Sequence, residues 1–511
     1  MSMVIILNFG SQFAHLIARR VRELGVKAEI LPFDASLKQI ASLSPVGIIL
    51  SGSPASVLEK GSPRPSKGIF NLGIPVLGIC YGEQVMAYMF NGKVQKGDHR
   101  EFGKETLRIS SNPLFKGLNH NEVVWFSHGD QVTKLPNGFI AIASTNGCRY
   151  AGMTNIKQNL FAIQFHPEVT HTQHGKTVLS NFLFQICNAP KDWKLGKVLP
   201  ELEASLSKTV GKEHVVVGIS GGVDSLVAAT LLYKAIGKQL HAVFVDTGLL
   251  RKNEVEAVSR SLRKQGFKNL HVIDARTIFL KRLKGKIDPE EKRKIIGHTF
   301  IEVFQTTIKK ELKRYPIKFL AQGTIYPDRI ESAEASKNAS KIKSHHNLTL
   351  PETLSLKILE PLKDFYKDEV RELGALLGLP KELLWRHPFP GPGLAVRIVG
   401  EITPERLNIL READAVFLDE LKKGGEYEKI WQAFAVLLPL RSVGVMGDSR
   451  TYEYMIALRA VDSVDGMTAD WHKIPPQLLE RISSRIVGEV GGVNRVLYDI
   501  TQKPPATIEY E

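Results

Sequence analysis

The chain contains few cysteines. Cys80, Cys148 and Cys187 are the three cysteines among 511 residues, and none of them belongs to a C-x-x-C pair. A disulfide framework or a structural zinc site usually draws on more cysteines at closer spacing, so this composition disfavours both. It favours a reducing compartment.

Long apolar runs are also missing. The apolar run near the N-terminus extends only from Val4 to Leu7, which is too short for a signal peptide or a membrane span. The sequence also has no internal repeat, heptad array or low-complexity tract. These features predict a soluble, cytoplasmic protein with no membrane partner.

Acidic residues are outnumbered by basic ones. The net charge is +15, which fits either a nucleic acid or an anionic nucleotide as substrate. Much of the excess lies in short runs such as Lys281–Lys286 and Lys292–Lys294. Such runs usually cover a solvated face or attract small anions, and no RNA-binding signature accompanies them. Charge alone therefore leaves both classes of partner open, and we expect small-molecule substrates rather than nucleic acid.

Short apolar runs alternate with helical patterns through the first two-fifths of the chain. Strands are predicted at Val4–Leu7, Gly47–Leu50 and Val76–Ile79, and a helix is predicted at Phe13–Leu24. This alternation is typical of a doubly wound α/β fold with a parallel sheet. The segment that follows repeats it.

The last part of the chain has a different pattern. A helix near Thr403–Leu421 is followed by strand-like runs and an amphipathic helix at Pro476–Glu489, which predicts a smaller α+β domain. The chain is long enough for about three domains. We predict limits at 1–190, 191–386 and 387–511.

A glycine-rich turn follows the apolar run Val215–Val217. Its residues are Ser220, Gly221, Gly222, Val223, Asp224 and Ser225. Adjacent glycines expose consecutive N–H groups, and a helix that starts here adds its positive end, so the turn suits phosphate. It lacks the spacing and the lysine of a Walker A loop.

Cys80 lies between Gly78 and Gly82, after one predicted strand and before a helix. A tight turn in that position can expose the thiol, and the helix N-terminus favours the nucleophilic thiolate. His166 and Glu168 stand two residues apart in an extended segment, so their side chains share one side. Together these residues predict a Cys–His–Glu triad.

These segments resemble the class I glutamine amidotransferases over about the first 190 residues. The resemblance implies that Cys80 attacks the glutamine carboxamide, that His166 transfers protons and that Glu168 holds the imidazole. It also implies an oxyanion hole made by the backbone N–H groups of Tyr81 and Ser53. Many relatives have a glycine in place of Ser53.

The turn at Ser220–Ser225 resembles the ATP loop of the N-type ATP pyrophosphatases. Segments at residues 320–328, 342–347, 387–394 and 503–509 resemble the GMP synthetase family. That family likeness spans essentially the whole chain and implies amination of xanthosine monophosphate (XMP), with a tRNA base as the alternative acceptor.

The same resemblance assigns further roles. It implies XMP contacts by Arg251, Lys503 and Glu509. It makes Lys343, His345 and His346 parts of a lid over the triphosphate. It also implies Mg²⁺ as cofactor, held through Asp224, and a homodimer formed by the third domain, with a monomer as the alternative. If the XMP site uses the last few residues, the C-terminus must be ordered.

Overall fold

The computed structural model describes residues 2–11, 13–310, 312–328, 356–463, 466 and 468–511. The side chains of residues 97–100 and 446 lie outside this description. The chain divides into two compact units, Met1–Val198 and Leu199–Glu511. The three domain limits given above stay a prediction.

The first unit consists of one sheet and four α-helices among its described residues. Its strands are β1 (Met3–Asn8), β2 (Lys27–Pro32), β3 (Gly47–Leu50), β4 (Val76–Ile79), β5 (Lys93–Ile109), β6 (Asn121–Lys134), β7 (Ile140–Ser144), β8 (Gly152–Asn155) and β9 (Leu160–Ile163). Its helices are α1 (Phe13–Glu23), α2 (Leu37–Ser42), α3 (Tyr81–Met89) and α4 (Gly175–Asn181).

The sheet order is β2-β1-β3-β4-β9-β8-β7-β5-β6. The five strands from β2 to β9 pair in parallel, as the alternating pattern predicted. Strands β1, β3 and β4 are almost wholly buried, which explains their continuous apolar sequence. The α/β fold class is thereby confirmed for this unit.

Antiparallel strands extend that sheet. Strands β8, β7, β5 and β6 continue it with antiparallel pairing, and β5 and β6 form a long hairpin. Along β6, buried and more exposed residues alternate, so the strand has one buried face and one solvent-facing face. These strands were not predicted, because the strand predictions rested on continuous buried runs.

Helix α5 (Leu195–Val210) crosses the limit between the units. The second unit then contains β10 (His214–Ile219), β11 (Leu240–Asp246), β12 (Leu270–Asp274), β13 (Ile317–Ala321), β14 (Lys357–Leu359), β15 (Gln432–Met446), β16 (Ser449–Asp462), β17 (Asp470–Trp471) and β18 (Val493–Asp499). Its helices are α6 (Val223–Ile236), α7 (Glu254–Lys264), α8 (Arg276–Leu283), α9 (Pro289–Lys310), α10 (Lys367–Leu376), α11 (Lys381–Leu384), α12 (Pro404–Lys423) and α13 (Pro476–Glu489).

Two sheets lie in this unit. The first is wholly parallel, with the order β12-β11-β10-β13-β14, so β10 is its central strand. The second is mixed: β15 and β17 pair antiparallel to β16, and β18 pairs parallel to it. Helices α12 and α13 pack against strands of this second sheet. The predicted α+β region is thereby confirmed.

One apolar core runs through the second unit. It includes Val216 and Val243 of the parallel sheet, Phe417 of α12, and Ile456 of the mixed sheet. Because the cluster is continuous, the two sheets of this unit share their hydrophobic stabilisation.

The C-terminus is held by charged contacts. The buried ammonium of Lys292 pairs with the Glu511 carboxylate, and the Glu511 side chain also accepts a bond from the Gly400 backbone N–H at 2.9 Å. The final residues are therefore ordered, as the family resemblance implied. In the described part of the chain, no helix has the length and apolar character needed to cross a membrane.

Candidate active sites

The nucleophile candidate Cys80 occupies a strained turn between β4 and α3. Its φ is 55° and its ψ is −107°, a conformation that L-residues rarely adopt. The Cys80 backbone N–H donates to the Ile163 carbonyl at 2.8 Å, which ties the turn to the end of β9. Cys80 is only 5% exposed, so the predicted exposure of the thiol is wrong: the sheet edge and its neighbouring turns cover it.

Two glycines make this turn possible. A Cβ on Gly82 would lie 2.4 Å from the Leu50 carbonyl oxygen, and a Cβ on Gly78 would lie 2.6 Å from the Gly82 carbonyl oxygen. Both obstacles are backbone atoms, which cannot move away cheaply. The glycines that the sequence placed on either side of Cys80 are therefore required by close backbone approach.

His166 and Glu168 form a buried pair. His166 Nδ1 lies 2.7 Å from Glu168 Oε1, and both side chains are shielded from solvent. His166 follows β9 and Cys80 follows β4, which are adjacent parallel strands, so both residues lie at the same edge of the sheet. The three predicted triad residues are thus brought together.

The charge state of His166 follows from this setting. Burial by itself lowers the pKa of the imidazole, but the negative charges of Glu168 and Cys80 and hydrogen bonds to both raise it well above its usual value. An imidazolium beside a thiolate is the form that attacks a carboxamide and then protonates the leaving amine.

The oxyanion-hole candidates lie next to this pair. A Cβ on Gly52 would lie 3.4 Å from His166 Cε1 and 3.9 Å from Cys80 Cβ, so the turn after β3 borders the nucleophile. Tyr81 is the first residue of α3, where backbone N–H groups have no partner within the helix.

Ser53 is not among the described residues with positive φ, so the serine is not strained there. Its hydroxyl donates to the Phe9 carbonyl at 2.8 Å and accepts from the Ala55 N–H at 3.1 Å. The side chain thereby fixes the turn that carries the Ser53 N–H.

Glu83 is a buried acid close to the nucleophile. Both of its carboxyl oxygens are buried and have no hydrogen-bond partner among the described residues. Burial, and then the charge of Cys80, raise the pKa of Glu83 well above its usual value. No role was predicted for this residue.

The ATP-loop candidate follows the central strand β10. Gly221 has φ 78°, which favours glycine, and Gly222 is the N-cap of α6. Ser220 Oγ lies 3.0 Å from Ser225 Oγ, and Ser225 Oγ donates to the Gly222 carbonyl at 2.9 Å. Hydrogen bonds of the two serines thus hold the loop closed, and α6 begins at Val223.

Asp224 suits a magnesium ion in its chemistry, because carboxylates are preferred Mg²⁺ ligands. Lys367 Nζ donates to both of its oxygens, at 2.7 and 2.6 Å. A lysine ammonium thus holds one positive charge where a cation would bind. Lys367 was missed because a lone lysine carries no local signal.

Arg386 is a second missed residue. Its guanidinium donates to the Gly221 carbonyl and to the Glu254 carboxylate. It therefore contacts the ATP loop directly, from the position just before the segment at residues 387–394.

Two of the three XMP candidates, Arg251 and Glu509, lie in one connected group of side chains. Arg251 lies over the Phe389 ring at 4.8 Å and forms an ion pair with Asp414 at 3.1 Å. The other side of this group is Arg397, which is 5.1 Å from Phe389 and pairs with Glu509 through two bonds of 2.9 and 3.0 Å. Arg397 was not predicted.

The other candidates lie elsewhere. Lys503 Nζ donates to the Gly466 carbonyl at 2.8 Å rather than to the Arg397 group. The proposed lid residues Lys343, His345 and His346 fall outside the described residues.

Three family models match successive parts of the chain. The family model "Glutamine amidotransferase class-I" matches residues 5–186, the model "NAD synthase" matches residues 198–293, and the model "GMP synthase C terminal domain" matches residues 419–510. Fold and site define an amidotransferase unit that is joined to an ATP-using unit.

The relatives cover the whole chain. A glutamine-hydrolysing GMP synthase of Carboxydothermus hydrogenoformans is 56% identical over 512 residues, which is 100% of both chains. One of Aquifex aeolicus is 53% identical over 510 residues, 99% of both. Among solved structures, a glutamine amidotransferase of Thermotoga maritima is 18% identical, with a TM-score of 0.31 over 37% of this chain and 99% of its own. The full-length relatives show that the chain belongs to the glutamine-hydrolysing GMP synthase family.

Proposed function

We propose that this protein converts XMP, ATP and glutamine to GMP, AMP, pyrophosphate and glutamate. The observation that carries the proposal is the buried His166–Glu168 pair beside the strained Cys80, in one chain with the loop at Ser220–Ser225. Full-length similarity to GMP synthases supports XMP as the acceptor and does not favour a tRNA base.

The first reaction releases ammonia. The Cys80 thiolate attacks the carboxamide carbon of glutamine, and the oxyanion accepts bonds from the backbone N–H groups of Tyr81 and Ser53. His166 gives its proton to the departing ammonia, which leaves a γ-glutamyl thioester. His166 then takes a proton from water, which hydrolyses the thioester to glutamate. Glu168 keeps the imidazole in the orientation and charge state that both transfers need.

The second reaction activates XMP. The N–H groups of the loop from Ser220 to Ser225, at the start of α6, bind the β- and γ-phosphates of ATP. The purine carbonyl oxygen of XMP attacks the α-phosphate, pyrophosphate leaves, and ammonia then displaces AMP to give GMP. Ammonia has to stay unprotonated on its way between the reactions.

We propose that Asp224 holds Mg²⁺ together with the ATP phosphates. When bound, the ion neutralises the charge of the leaving pyrophosphate. The carboxylate fits this role, and its present partner Lys367 has to release at least one oxygen.

XMP binding is assigned to Arg251, Lys503 and Glu509. The Arg251 guanidinium suits a phosphate, and the Glu509 carboxylate suits purine N–H groups. Glu509 is held in place by Arg397, which is buried. Lys343, His345 and His346 are proposed to cover the triphosphate.

We also propose a cytoplasmic homodimer. The β15–β16 hairpin carries large apolar side chains in contact with solvent, namely Leu440, Val443, Val445 and Tyr452. A row of such residues on a soluble chain usually marks a protein interface.

The test compares wild type with Cys80→Ala, each supplied with glutamine or with ammonium, in the presence of ATP, Mg²⁺ and XMP. GMP, AMP and pyrophosphate are measured. We expect Cys80→Ala to make GMP from ammonium only. Cys187→Ala is the matched control, because it removes a buried thiol of the same unit that lies outside the triad.

Two results would contradict the proposal. If wild type makes no GMP from either nitrogen donor, XMP is not the acceptor. If Cys80→Ala still uses glutamine as well as Cys187→Ala does, Cys80 is not the nucleophile.

A further inference from the structure

A second cluster of reactive side chains lies in the first unit, outside the triad. It consists of Glu101 on β5, His128 on β6 and Cys148 in the turn between β7 and β8. One ligand atom from each residue lies within 4.8 Å of the other two, and all three residues are buried. The reaction proposed above uses none of them.

We propose that Glu101, His128 and Cys148 form a binding site for a divalent metal ion, with zinc as the best match. One nitrogen, one oxygen and one sulfur ligand suit a borderline-soft ion that accepts four-coordinate geometry. Mg²⁺ and Ca²⁺ are disfavoured because they prefer oxygen ligands.

The neighbours of these ligands orient them as in known metal sites. His128 Nδ1 lies 3.0 Å from the Asp130 carbonyl, so Nδ1 carries the proton and Nε2 faces the cluster with its lone pair. The Thr145 hydroxyl donates to Glu101 Oε1 at 3.0 Å, which leaves Oε2 for the cluster. Outer hydrogen bonds of this type fix the tautomer of a histidine ligand and the direction of a carboxylate.

The contact between the two ligand atoms requires a positive charge. His128 Nε2 and Glu101 Oε2 are 3.0 Å apart, and both are acceptors when Nδ1 carries the imidazole proton and the carboxylate is ionised. Either a proton or a metal ion must lie between them. A proton satisfies two ligands, whereas a metal ion also uses the Cys148 sulfur.

The described residues supply three ligand atoms that lie close together. Glu83 is not one of them, although both of its carboxyl oxygens are buried and have no partner among the described residues. The fourth position of a four-coordinate ion is therefore left to water.

The backbone leaves room for the ligands. A Cβ on Gly147 would lie 2.5 Å from Glu101 Oε1. Any other residue at this position would push the Glu101 carboxylate out of its present place. Gly147 is thus part of the proposed site.

The site adjoins the nucleophile. Cys80 Sγ lies 3.8 Å from the Ser127 carbonyl oxygen, and Ser127 directly precedes His128. A metal ion on His128 would hold the strand segment that lines the glutamine site. Metal binding is therefore expected to stabilise the amidotransferase unit.

The test uses full-length protein with Cys80→Ser and Cys187→Ser, so that Cys148 is the one remaining thiol. Cobalt(II) is added as a spectroscopic probe, and zinc uptake is measured by competition. We expect one bound cobalt with a thiolate-to-cobalt charge-transfer band, which zinc abolishes. The band reports a Cys148 sulfur ligand, because histidine sites elsewhere in the chain cannot produce it.

Two further variants test the geometry. Adding Cys148→Ser should remove the band and weaken zinc binding by at least about a hundredfold. Gly147→Ala keeps every ligand and should weaken binding too. Circular dichroism establishes that each variant is folded. If the protein with Cys148 alone gives no band with excess cobalt, the charge between Glu101 and His128 is a proton and the proposal is wrong, whatever the variants do.

Discussion

The charge of Glu168 can be removed while its shape is kept. Glu168→Gln retains an oxygen that can accept from His166 Nδ1, which is now 2.7 Å from Glu168 Oε1. The other oxygen, Oε2, is buried without a hydrogen-bond partner among the described residues, so an amide nitrogen there breaks no existing bond. The variant therefore separates the electrostatic role of Glu168 from its positioning role.

The size of the effect follows from Coulomb's law. Two unit charges about 4 Å apart interact by about 4 kcal/mol at an effective dielectric of about 20. Losing the Glu168 charge lowers the pKa of His166, so the imidazolium loses its proton at a lower pH. The basic limb of the pH profile should therefore move to lower pH, and the glutamine-dependent rate at neutral pH should fall by about a hundredfold or more.

The assay measures GMP formation against pH with glutamine and with ammonium. The ammonium-dependent rate should not change, because that reaction bypasses the triad. Glu122→Gln is the matched control, since Glu122 Oε2 lies 2.6 Å from His174 Nδ1 in a similar pair of the same unit. An unshifted profile and an undiminished glutamine-dependent rate in Glu168→Gln would refute the electrostatic argument.

Three other predictions concern the second unit. Asp224→Asn should reduce AMP formation by about a hundredfold or more with either nitrogen donor, while glutamate release persists; equal loss of both activities would point to misfolding. Burial and neighbouring cations lower the pKa of His241 to about 4. A histidine in the unfolded chain has a pKa near 6.5, so as the pH falls the unfolded chain binds the proton first. The free energy of unfolding should therefore decrease by on the order of 3 kcal/mol between about pH 6.5 and pH 4. Thermal unfolding against pH should reveal this slope, and His241→Phe should flatten it. Val445→Glu should convert a dimer to a monomer in sedimentation, because Val445 is 75% exposed on the β15–β16 hairpin; a monomeric wild type would overturn the interface.

Much of the parallel sheet was predictable because its strands are buried on both faces. Strands at Gly47–Leu50 and Val76–Ile79 have the predicted limits, and the first helix ends one residue earlier than predicted, at Glu23. The long hairpin of β5 and β6 was not predictable in the same way. Its residues alternate between a buried and a solvent-facing side, and such alternation also occurs in irregular surface segments.

The site residues also differ in whether the sequence could predict them. Cys80 and the loop at Ser220–Ser225 have strong local signatures, because a tight turn demands glycine nearby. His166 has one because Glu168 follows two residues later in an extended segment. Lys367 and Arg397 have none. Their partners Asp224 and Glu509 are 143 and 112 residues away in sequence, so only the folded chain brings each pair together.

Ser53 shows why a motif does not fix a backbone conformation. Where relatives often have glycine, a serine suggests strain if the oxyanion turn needs a positive φ. The φ of Ser53 is not positive, and its hydroxyl links the Phe9 carbonyl at 2.8 Å to the Ala55 N–H at 3.1 Å. The packing of this turn on the end of β1 sets its dihedral angles. Comparing the residue at position 53 with that of relatives gives no information on this packing. In this chain the side chain at position 53 holds the oxyanion turn in place, a contact that a glycine could not make.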